Sequence, residues 1–239
     1  MQTFQPVLLG SDANVYGMAR SFYAQYGVVS DAICKAVLVA CRNTKLVRIA
    51  AVEPQLEDDE TFVRTLVEYA ESHDYARRPL LLVSCADGYT ILMARHRAAL
   101  APYFHFACPE LQTVLDLDIK DNFYRACRAH GLSFPQTATC TAENYRTIEL
   151  PFDFPCIIKA SNSAAYWNCS FPHKKKVFLA HTKQEFDAIT AAIYGSEYQD
   201  DLVLQEYIPG DDNCMRVLNA YCGLDRKVRL LALGRPLLE

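Results

Sequence analysis

Two short runs that are apolar at nearly every position constrain the fold of the first half of the chain more than any other feature. These runs are residues 6–10 (Pro-Val-Leu-Leu-Gly) and 79–84 (Pro-Leu-Leu-Leu-Val-Ser). A strand without polar alternation is typical of a parallel sheet that helices cover on both faces. Apolar residues recur at helical spacing across 15–23 and 58–73, between the two runs. The alternation of strand and helix therefore predicts an open α/β domain over residues 1–115.

The pattern changes near residue 116, and we predict a second domain, of α+β type, over residues 116–239. One helix is predicted at 118–130, ended by Gly131, and another at 182–194, where Thr182 and Glu185 form a capping-box pattern. Segment 132–137 is predicted to be an extended connector. Strands are predicted at 154–160, 175–180, 202–207, 217–221 and 227–233. The last two strands alternate apolar and polar residues, which predicts an antiparallel pair.

Composition and charge exclude several classes of protein. Hydrophobic residues make up 51% of the 239 residues, which is enough for a sizeable core, and the formal net charge is −4. Because no strongly basic face is implied, we expect no nucleic-acid partner. The apolar runs are too short to cross a bilayer, and residues 1–6 do not resemble an export signal. A cytoplasmic protein without membrane attachment is therefore predicted.

The ten cysteines point to the same compartment. They are scattered through the chain without a C-x-x-C pair, and most stand inside apolar stretches, as Cys85 and Cys156 do. Secreted disulfide scaffolds are usually much smaller than this chain. Buried free thiols of a cytosolic protein are therefore predicted.

Three segments of the second half carry residues that suit a nucleotide triphosphate. Lys120 stands at the start of a predicted helix, and Lys159 stands near the end of a predicted strand, before the Ser- and Asn-rich segment 160–174. A lysine there could reach a phosphate as a point charge, and the segment could cover it. The third segment, 204–212, ends a strand at Glu206 and then turns through Pro209 and Gly210. Its backbone could offer hydrogen bonds to an adenine edge.

Each of these features also has an ordinary explanation. A single lysine at a strand end is usually a solvated charge, and Lys120 lies at the unfavourable end of a helix dipole. Glu206 in an apolar strand fits an edge strand as well as a binding site, and a Pro-Gly pair alone is a turn. The functional signal is therefore the order and spacing of the segments together.

In that order the segments resemble the ATP-grasp fold, over residues 116–239. The segments that carry the resemblance are Asp-Ile-Lys-Asp-Asn-Phe-Tyr at 118–124, Gly-Leu-Ser-Phe-Pro-Gln-Thr at 131–137, Phe-Pro-Cys-Ile-Ile-Lys-Ala-Ser at 154–161 and Gln-Glu-Tyr-Ile-Pro-Gly-Asp-Asp at 205–212. Segments 9–22 and 85–89 resemble the Rossmann-like preATP-grasp domain of bacterial carboxylate–amine ligases. Within that family the chain looks akin to ligases of the D-aspartate ligase type, which act in peptidoglycan cross-bridge synthesis.

The resemblance implies a reaction in which ATP phosphorylates a carboxylate and an amine then attacks the acyl phosphate to give an amide. Lys120 and Lys159 would hold the phosphates, Glu206 and the backbone that follows it would hold adenine, and Asp212 would lie near the ribose. The full set of implied ATP-binding residues is Lys120, Lys159, Ser161, Ser163, Glu206, Tyr207, Ile208 and Asp212. The implied cofactors are ATP and Mg²⁺, and the implied partners are a small or peptidoglycan-precursor-like carboxylate and an amine.

The resemblance also sets an expectation about activity. Family members hold magnesium with two acidic residues and an Asn from later strands, whereas this sequence ends at Glu239. No catalytic or metal-binding residue is therefore assigned, and the chain alone is expected to be a truncated, inactive piece of a ligase. A non-catalytic ATP-binding regulatory module is the alternative, and an interaction domain that binds no nucleotide is a third. The identities of the amine and the carboxylate stay open. A homodimer is possible in the same sense, since the sequence does not determine the oligomeric state.

Overall fold

A computed structural model describes residues 4–118, 120–161, 165–166, 169–223 and 225–236, with the side chains of residues 118, 120, 121 and 212 outside that description. The chain divides into two compact units, Met1–Gly131 and Leu132–Glu239. The first unit contains one sheet, and the second contains a larger sheet and a two-stranded one. In the described part of the chain, no helix has both the length and the apolar character that a bilayer crossing requires.

The first unit contains a parallel five-stranded sheet. Its strands are β1 (Gln5–Leu9), β2 (Ser30–Cys34), β3 (Val47–Val52), β4 (Leu80–Ser84) and β5 (Phe104–His105), in the order β3-β2-β1-β4-β5. Every residue of β1 and β2 is buried, as expected for central strands that are covered on both faces. The mixed α/β fold predicted for this half is confirmed.

In the described part of the first unit, seven helices connect or follow these strands. They are α1 (Ala13–Tyr26), α2 (Val39–Arg42), α3 (Asp59–Glu71), α4 (Asp87–Arg95), α5 (Arg97–Leu100), α6 (Leu111–Asp118) and α7 (Lys120–Ala129). Asp12 caps α1, because its carboxylate accepts hydrogen bonds from the N–H groups of Asn14 (3.0 Å) and Val15 (3.1 Å). The helix predicted at 118–130 corresponds to α7. Helices α6 and α7 belong to the first compact unit, whereas the sequence prediction places the domain boundary near residue 116.

Strand β3 was not predicted, and an ion pair between its exposed Arg48 and the buried Asp31 helps to hold it against β2. Only alternate residues of β3 are covered, and Arg48 interrupts its apolar character. The Asp31 side chain on β2 is completely buried and accepts two hydrogen bonds of 2.6 Å from the Arg48 guanidinium. The Tyr69 hydroxyl of α3 donates a third, at 2.5 Å. Burial, followed by this hydrogen bond to Asp31, raises the pKa of Tyr69. These contacts tie β2, β3 and α3 together.

The second unit contains a four-stranded antiparallel sheet. Its strands are β6 (Thr137–Cys140), β7 (Cys156–Ala160), β8 (Val177–Ala180) and β9 (Leu202–Glu206), in the order β6-β9-β7-β8. Helix α8 (Lys183–Tyr194) begins at Thr182, whose hydroxyl caps the Glu185 N–H at 3.2 Å. One face of the sheet builds a core with Phe186 of α8 and with Tyr198, both fully buried. Strand β6 begins at Thr137, the last residue of the connector predicted at 132–137, and continues to Cys140.

A separate β-hairpin completes the second unit. It pairs β10 (Val217–Cys222) with β11 (Val228–Gly234), as predicted for these two segments. Every residue of both strands is exposed, including Leu218, Leu231 and Leu233. In the described part of the chain, the hairpin therefore forms a two-stranded sheet with apolar side chains on its surface.

The ten cysteines differ enough in exposure to predict an order of alkylation. Cys214 and Cys222 are exposed, whereas burial raises the pKa of Cys85 to about 12 and those of Cys140 and Cys156 to about 11. Because the thiolate is the reactive form, we expect iodoacetamide at pH 8 to label the two exposed thiols well before the other three. Mass spectrometry of a native time course, with a denatured sample as the control, measures this order. Equal rates at Cys156 and Cys214 would contradict the packing of the second unit.

Candidate functional site

The first unit has a cleft at the carboxyl ends of β1, β2 and β4. Its volume is ≈ 200 Å³, and its lining includes Gly10, Ser11, Asp12, Cys34, Lys35, Cys85 and Tyr89. Ligands of open parallel sheets bind at this end, near the point where the strand order reverses. A Cβ at Gly10, where φ is +110°, would lie 3.2 Å from Val15 Cγ2, so the chain leaves β1 in a conformation that favours glycine.

The polar groups of this cleft already have partners within the protein. The Ser11 hydroxyl donates to the Ala36 carbonyl at 2.6 Å and accepts from the Leu38 N–H at 3.1 Å. Lys35 Nζ lies 2.7 Å from a Glu57 carboxylate oxygen. Asp12 is used as the cap of α1. Ser11, Lys35 and Asp12 in the lining of the cleft are therefore already engaged with other residues of the first unit.

Strand register in the second unit separates Lys159 from the core. Even-numbered residues of β7 and β9, such as Ile158 and Leu204, face the core, whereas Lys159 pairs with Val203 on the opposite face of the sheet. Alternation along a strand makes this division inevitable once the apolar set is buried. Lys159 therefore lies on a strand, as the sequence predicted. Its side chain is on the face of the sheet opposite the core that α8 covers.

A chain of hydrogen bonds holds the Lys159 ammonium on this face. Lys159 Nζ donates to Gln205 Oε1 at 2.9 Å, and Gln205 Nε2 donates to Thr137 Oγ1 at 3.1 Å. Thr137 Oγ1 in turn donates to the Pro135 carbonyl at 2.8 Å. Gln205 is only 7% exposed, so little water competes for its amide. These hydrogen bonds link β7, β9 and β6, and they hold the Lys159 ammonium against the neighbouring strand β9.

The end of β9 offers backbone groups to a flat ligand edge. The Glu206 N–H donates to the Gln136 carbonyl at 2.9 Å and the Tyr207 N–H donates to the Pro155 carbonyl at 3.2 Å. The Ile208 N–H makes no hydrogen bond to any residue that the structure describes, and the Ile208 side chain is exposed. Of the three residues predicted to contact adenine, Glu206 and Tyr207 therefore already use their N–H groups within the second unit, and the adenine contacts of all three stay predictions.

The turn after β9 has a defined geometry. Gly210 has a φ of +150°, and a Cβ there would lie 3.1 Å from the Cys214 Cβ atom, so this position favours glycine. The Asp211 carboxylate accepts hydrogen bonds from the Asn213 side chain (3.1 Å) and backbone (3.0 Å), and these bonds lower the pKa of Asp211. The predicted Pro-Gly turn is therefore present and leads into a short 3₁₀ helix, Asp212–Cys214.

The segment that follows Lys159 is anchored where it is described. Tyr166 is buried in the core of the second unit, and its hydroxyl donates to the Lys175 carbonyl. Lys174 Nζ donates to the Cys169 carbonyl at 2.6 Å and lies 5.0 Å from the centre of the Tyr166 ring. The predicted phosphate cover therefore starts from a base that is packed against the sheet.

The other predicted site residues are placed only in part. Ser161 is exposed, and its N–H donates to the Asp201 carbonyl at 3.0 Å. Lys120 begins α7 in the first unit, but its side chain lies outside the described residues, as does the side chain of Asp212. Ser163 lies outside them altogether. The second unit thus brings Lys159 and the end of β9 into one sheet, and their roles in nucleotide binding stay predictions.

The sequence prediction assigned no role to Gln205 or Thr137, and it proposed no metal ligand. The strand register could have revealed both residues, because Thr137 pairs with Gln205 and Gln205 pairs with Ile157, two residues before Lys159. Among the described residues, no three His, Cys, Asp or Glu side chains are grouped to hold a metal ion. The structure therefore assigns no ligand to the magnesium ion that the resemblance implies.

Known proteins share both sequence and fold with this chain. It is 39% identical over 245 residues to a D-aspartate ligase from Enterococcus faecium (strain Aus0004), in an alignment that covers 100% of this chain and 58% of that protein. The chain thus spans less than two thirds of the length of this curated relative. No protein-family model matches the chain.

Two solved structures superimpose on nearly the whole chain. An L-amino acid ligase from Bacillus licheniformis has a TM-score of 0.64 and 11% identity, with 98% of this chain and 50% of that chain covered. A carboxyaminoimidazole ribonucleotide synthase from Aspergillus clavatus, complexed with ATP, has a TM-score of 0.61 and 10% identity, with 98% and 53% covered. At these identities the likeness concerns the fold alone.

Proposed function

The chain is a homologue of D-aspartate ligase with the fold of the ATP-grasp ligases, and on this basis we propose that it binds ATP for the ligation of a carboxylate to an amine. The observation that carries the proposal is the 39% identity along its whole length to a D-aspartate ligase. A fold likeness alone would not support a function, since one fold serves many reactions. Lys159 on β7 and the backbone at the end of β9 supply the kinds of group that such a nucleotide requires.

In the proposed reaction, a carboxylate oxygen of the substrate attacks the γ-phosphorus of ATP. The bond from that phosphorus to the β-phosphate oxygen breaks, which releases ADP and leaves an acyl phosphate. The amine nitrogen then attacks the carbonyl carbon, phosphate departs and the nitrogen loses a proton. Magnesium supplies charge neutralisation on the phosphates in reactions of this kind.

Each proposed residue of this chain contributes binding and orientation. Lys159 donates to phosphate oxygens as a compact charge, with Lys120 as a second cation. Ser161 and Ser163 belong to the cover over the phosphates. The Ile208 N–H and the carbonyl oxygens of Glu206 and Tyr207 meet the adenine edge, and Asp212 lies by the ribose. These groups act by fixing the γ-phosphate against the carboxylate, which is the main contribution a protein makes to such a transfer.

We further propose that the carboxylate belongs to an amino acid. The relative is named a D-aspartate ligase, and one structural neighbour is named an L-amino acid ligase. An aspartate is the first substrate to test, with a peptidoglycan-precursor-like amine as its acceptor. A homodimer in the cytoplasm is part of the same proposal.

Nucleotide binding is the first test of this function. We expect titration calorimetry to detect ATP binding by the chain in magnesium buffer, and a clear preference over GTP, because GTP presents a carbonyl where adenine presents an amino group. Adenosine serves as a control without phosphates and should bind more weakly than ATP. Equal binding of ATP and GTP, or none of either, would contradict the proposal.

Turnover separates the ligase from the alternative, a non-catalytic ATP-binding module. ADP release is measured with D- or L-aspartate and an amine, singly and together. The sequence prediction that the chain alone is inactive stays a prediction, and release that requires both substrates would contradict it. If a chain as long as the D-aspartate ligase relative bound ATP but never released ADP, the regulatory module would be favoured.

A further inference from the structure

We propose that the cleft at the carboxyl ends of β1, β2 and β4 binds the amine substrate, as a primary ammonium on a short alkyl chain, with Asp12 as the partner of the ammonium. The proposal rests on the proposed function, because it assigns one of the two reactants of the ligation to a site in the first unit. The observation that carries it is a small, mainly apolar cleft in which the Asp12 carboxylate pairs with no cation of the described residues.

Three strand ends meet at this cleft. Leu9 ends β1, Cys34 ends β2 and Cys85 follows β4, and all three residues line the cleft. In an open parallel sheet a ligand reaches this end between neighbouring strand-to-helix connections. The volume of ≈ 200 Å³ suits a ligand portion of roughly six heavy atoms, since one water molecule takes up about 30 Å³ of the liquid. A short alkyl chain with one polar head has this size.

Most of the wall of the cleft is apolar. Leu9, Ala36, Leu38 and the ring of Tyr89 contribute carbon surface, and a buried thiol such as that of Cys34 behaves as a small hydrophobic group. Contact with such a wall favours an alkyl chain, because both apolar surfaces leave water. The same wall offers few hydrogen-bond partners to a ligand that carries many hydroxyl or phosphate groups.

The charges around the cleft disfavour an anion. Lys35 is the cation of the described lining, and its Nζ lies 2.7 Å from a Glu57 carboxylate oxygen. Asp12 adds a negative charge to the lining, and the exposed Asp87 follows the lining residue Ala86. A carboxylate or phosphate would therefore meet acidic groups and a lysine that is already paired, whereas an ammonium would meet an acceptor of opposite charge.

Asp12 can cap α1 and still accept a hydrogen bond from a ligand. Its Oδ1 atom accepts from the N–H groups of Asn14 and Val15, at 3.0 and 3.1 Å. Its Oδ2 atom accepts from the Asn14 side-chain amide at 3.3 Å, and a carboxylate oxygen has room for a second donor. The charge acts within the cleft. Burial raises the pKa of Cys85 to about 12, and the Asp12 carboxylate adds to this rise.

The simpler alternative is that Asp12 only caps α1 and that the cleft holds water. Asp12→Asn separates the two explanations, because asparagine caps a helix as well as aspartate does but carries no charge. Asp58→Asn is the matched control. Asp58 caps α3 in the same way, by accepting a 3.0 Å hydrogen bond from the Thr61 N–H, and it does not line the cleft.

The probes are n-pentylamine, n-pentanol and pentanoate, which share one alkyl chain and differ in the charge of the head group. The full chain is titrated with each at neutral pH and constant ionic strength, and the backbone amide signals are followed by NMR. We expect pentylamine to bind about threefold to fivefold more tightly than pentanol, the size of effect of a partly exposed ion pair. Pentanoate should bind more weakly than pentanol. The signals of Ser11, Asp12 and Cys85 should shift, while those of the second unit stay in place.

In Asp12→Asn the affinity for pentylamine should fall to that for pentanol, and pentanol binding should be unchanged. Asp58→Asn should bind all three probes like the unmodified chain. Pentanoate binding as tight as pentylamine binding would overturn the proposal, as would a preference for pentylamine that survives in Asp12→Asn. Shifts confined to residues away from the cleft, or no binding of any probe, would overturn it as well.

Asp12→Ser is the second variant, for the case in which Asp12→Asn does not fold, because serine also caps a helix without a charge. The same loss of pentylamine preference is expected. The probes need no nucleotide, so the two proposals fail separately. A chain that binds pentylamine in the cleft but no ATP contradicts the proposed function and leaves the amine site in place, whereas ATP binding without pentylamine binding contradicts only the amine site.

Discussion

Replacement of Lys159 by alanine is expected to weaken ATP binding by roughly 30-fold, which corresponds to about 2 kcal/mol. A hydrogen bond from an ammonium to a phosphate is charge-assisted and is about twice as strong as a neutral one. Lys159 already lies on the sheet face opposite the α8 core, so its removal should leave that core intact. Titration calorimetry with ATP measures the loss, and the melting curve of the variant checks the fold.

Lys176→Ala is the control for a general effect of charge. Lys176 is exposed and precedes β8, so its removal changes the net charge by the same amount as the removal of Lys159. A loss of less than threefold is expected for this control, because exposed charges are screened by salt. If both variants lose ATP affinity equally, the phosphate grip does not lie at Lys159, and the ATP-grasp assignment of this lysine is wrong.

Replacement of Asp31 by alanine is expected to destabilise the first unit by about 3 kcal/mol. The substitution removes a fully buried carboxylate that accepts three hydrogen bonds, two from Arg48 and one from Tyr69. The Tyr69 hydroxyl would then be buried without this acceptor, which costs about 1–3 kcal/mol by itself. Arg48 can turn to water because much of its side chain is exposed, so the loss should fall short of that for a fully buried pair.

Hydrogen exchange in urea, followed by mass spectrometry, assigns this loss to the first unit. Peptides from β1 and β2 should open at lower urea concentration in Asp31→Ala, while peptides from β7 and β9 should be unchanged. Glu68→Ala is the control, because Glu68 is an exposed carboxylate on the same helix as Tyr69. Tyr69→Phe should lose about 1 kcal/mol. A change below about 0.5 kcal/mol in Asp31→Ala, which is the usual size of a surface substitution, would contradict the network.

Sequence predicted the elements that depend on local pattern. The apolar runs of β1 and β4, the capping box of α8 and the Pro-Gly turn after β9 are all local signals, and each is present. Strand β3 was missed because its stability comes from a distant partner. Arg48 looks like a surface residue in the sequence, and only the pairing of β3 with β2 brings it to Asp31. Such a pairing has no signature in a single segment.

The candidate site divides in the same way. Lys159 and Glu206 could be selected from the sequence because each lies at or next to the end of a strand within a recognisable order of segments. Gln205 looks like one polar residue in an apolar strand, and its importance depends on which residue lies diagonally across the sheet. Thr137 stood in a segment predicted to be a connector. Residues that contact a candidate site residue are therefore harder to find in the sequence than the site residue itself, because the contact depends on the register between strands.

The exposed hairpin also affects how readily the chain associates with itself in solution. A two-stranded ribbon is marginally stable by itself in water, and among the described residues no further strand pairs with the outer edges of β10 and β11, which carry the exposed Leu218, Leu231 and Leu233. Such a ribbon can template the addition of strands from other molecules, which makes self-association a question of concentration and time. Self-association would then begin at this ribbon. The buried strands of both units are already paired with neighbouring strands, and their apolar faces are already packed.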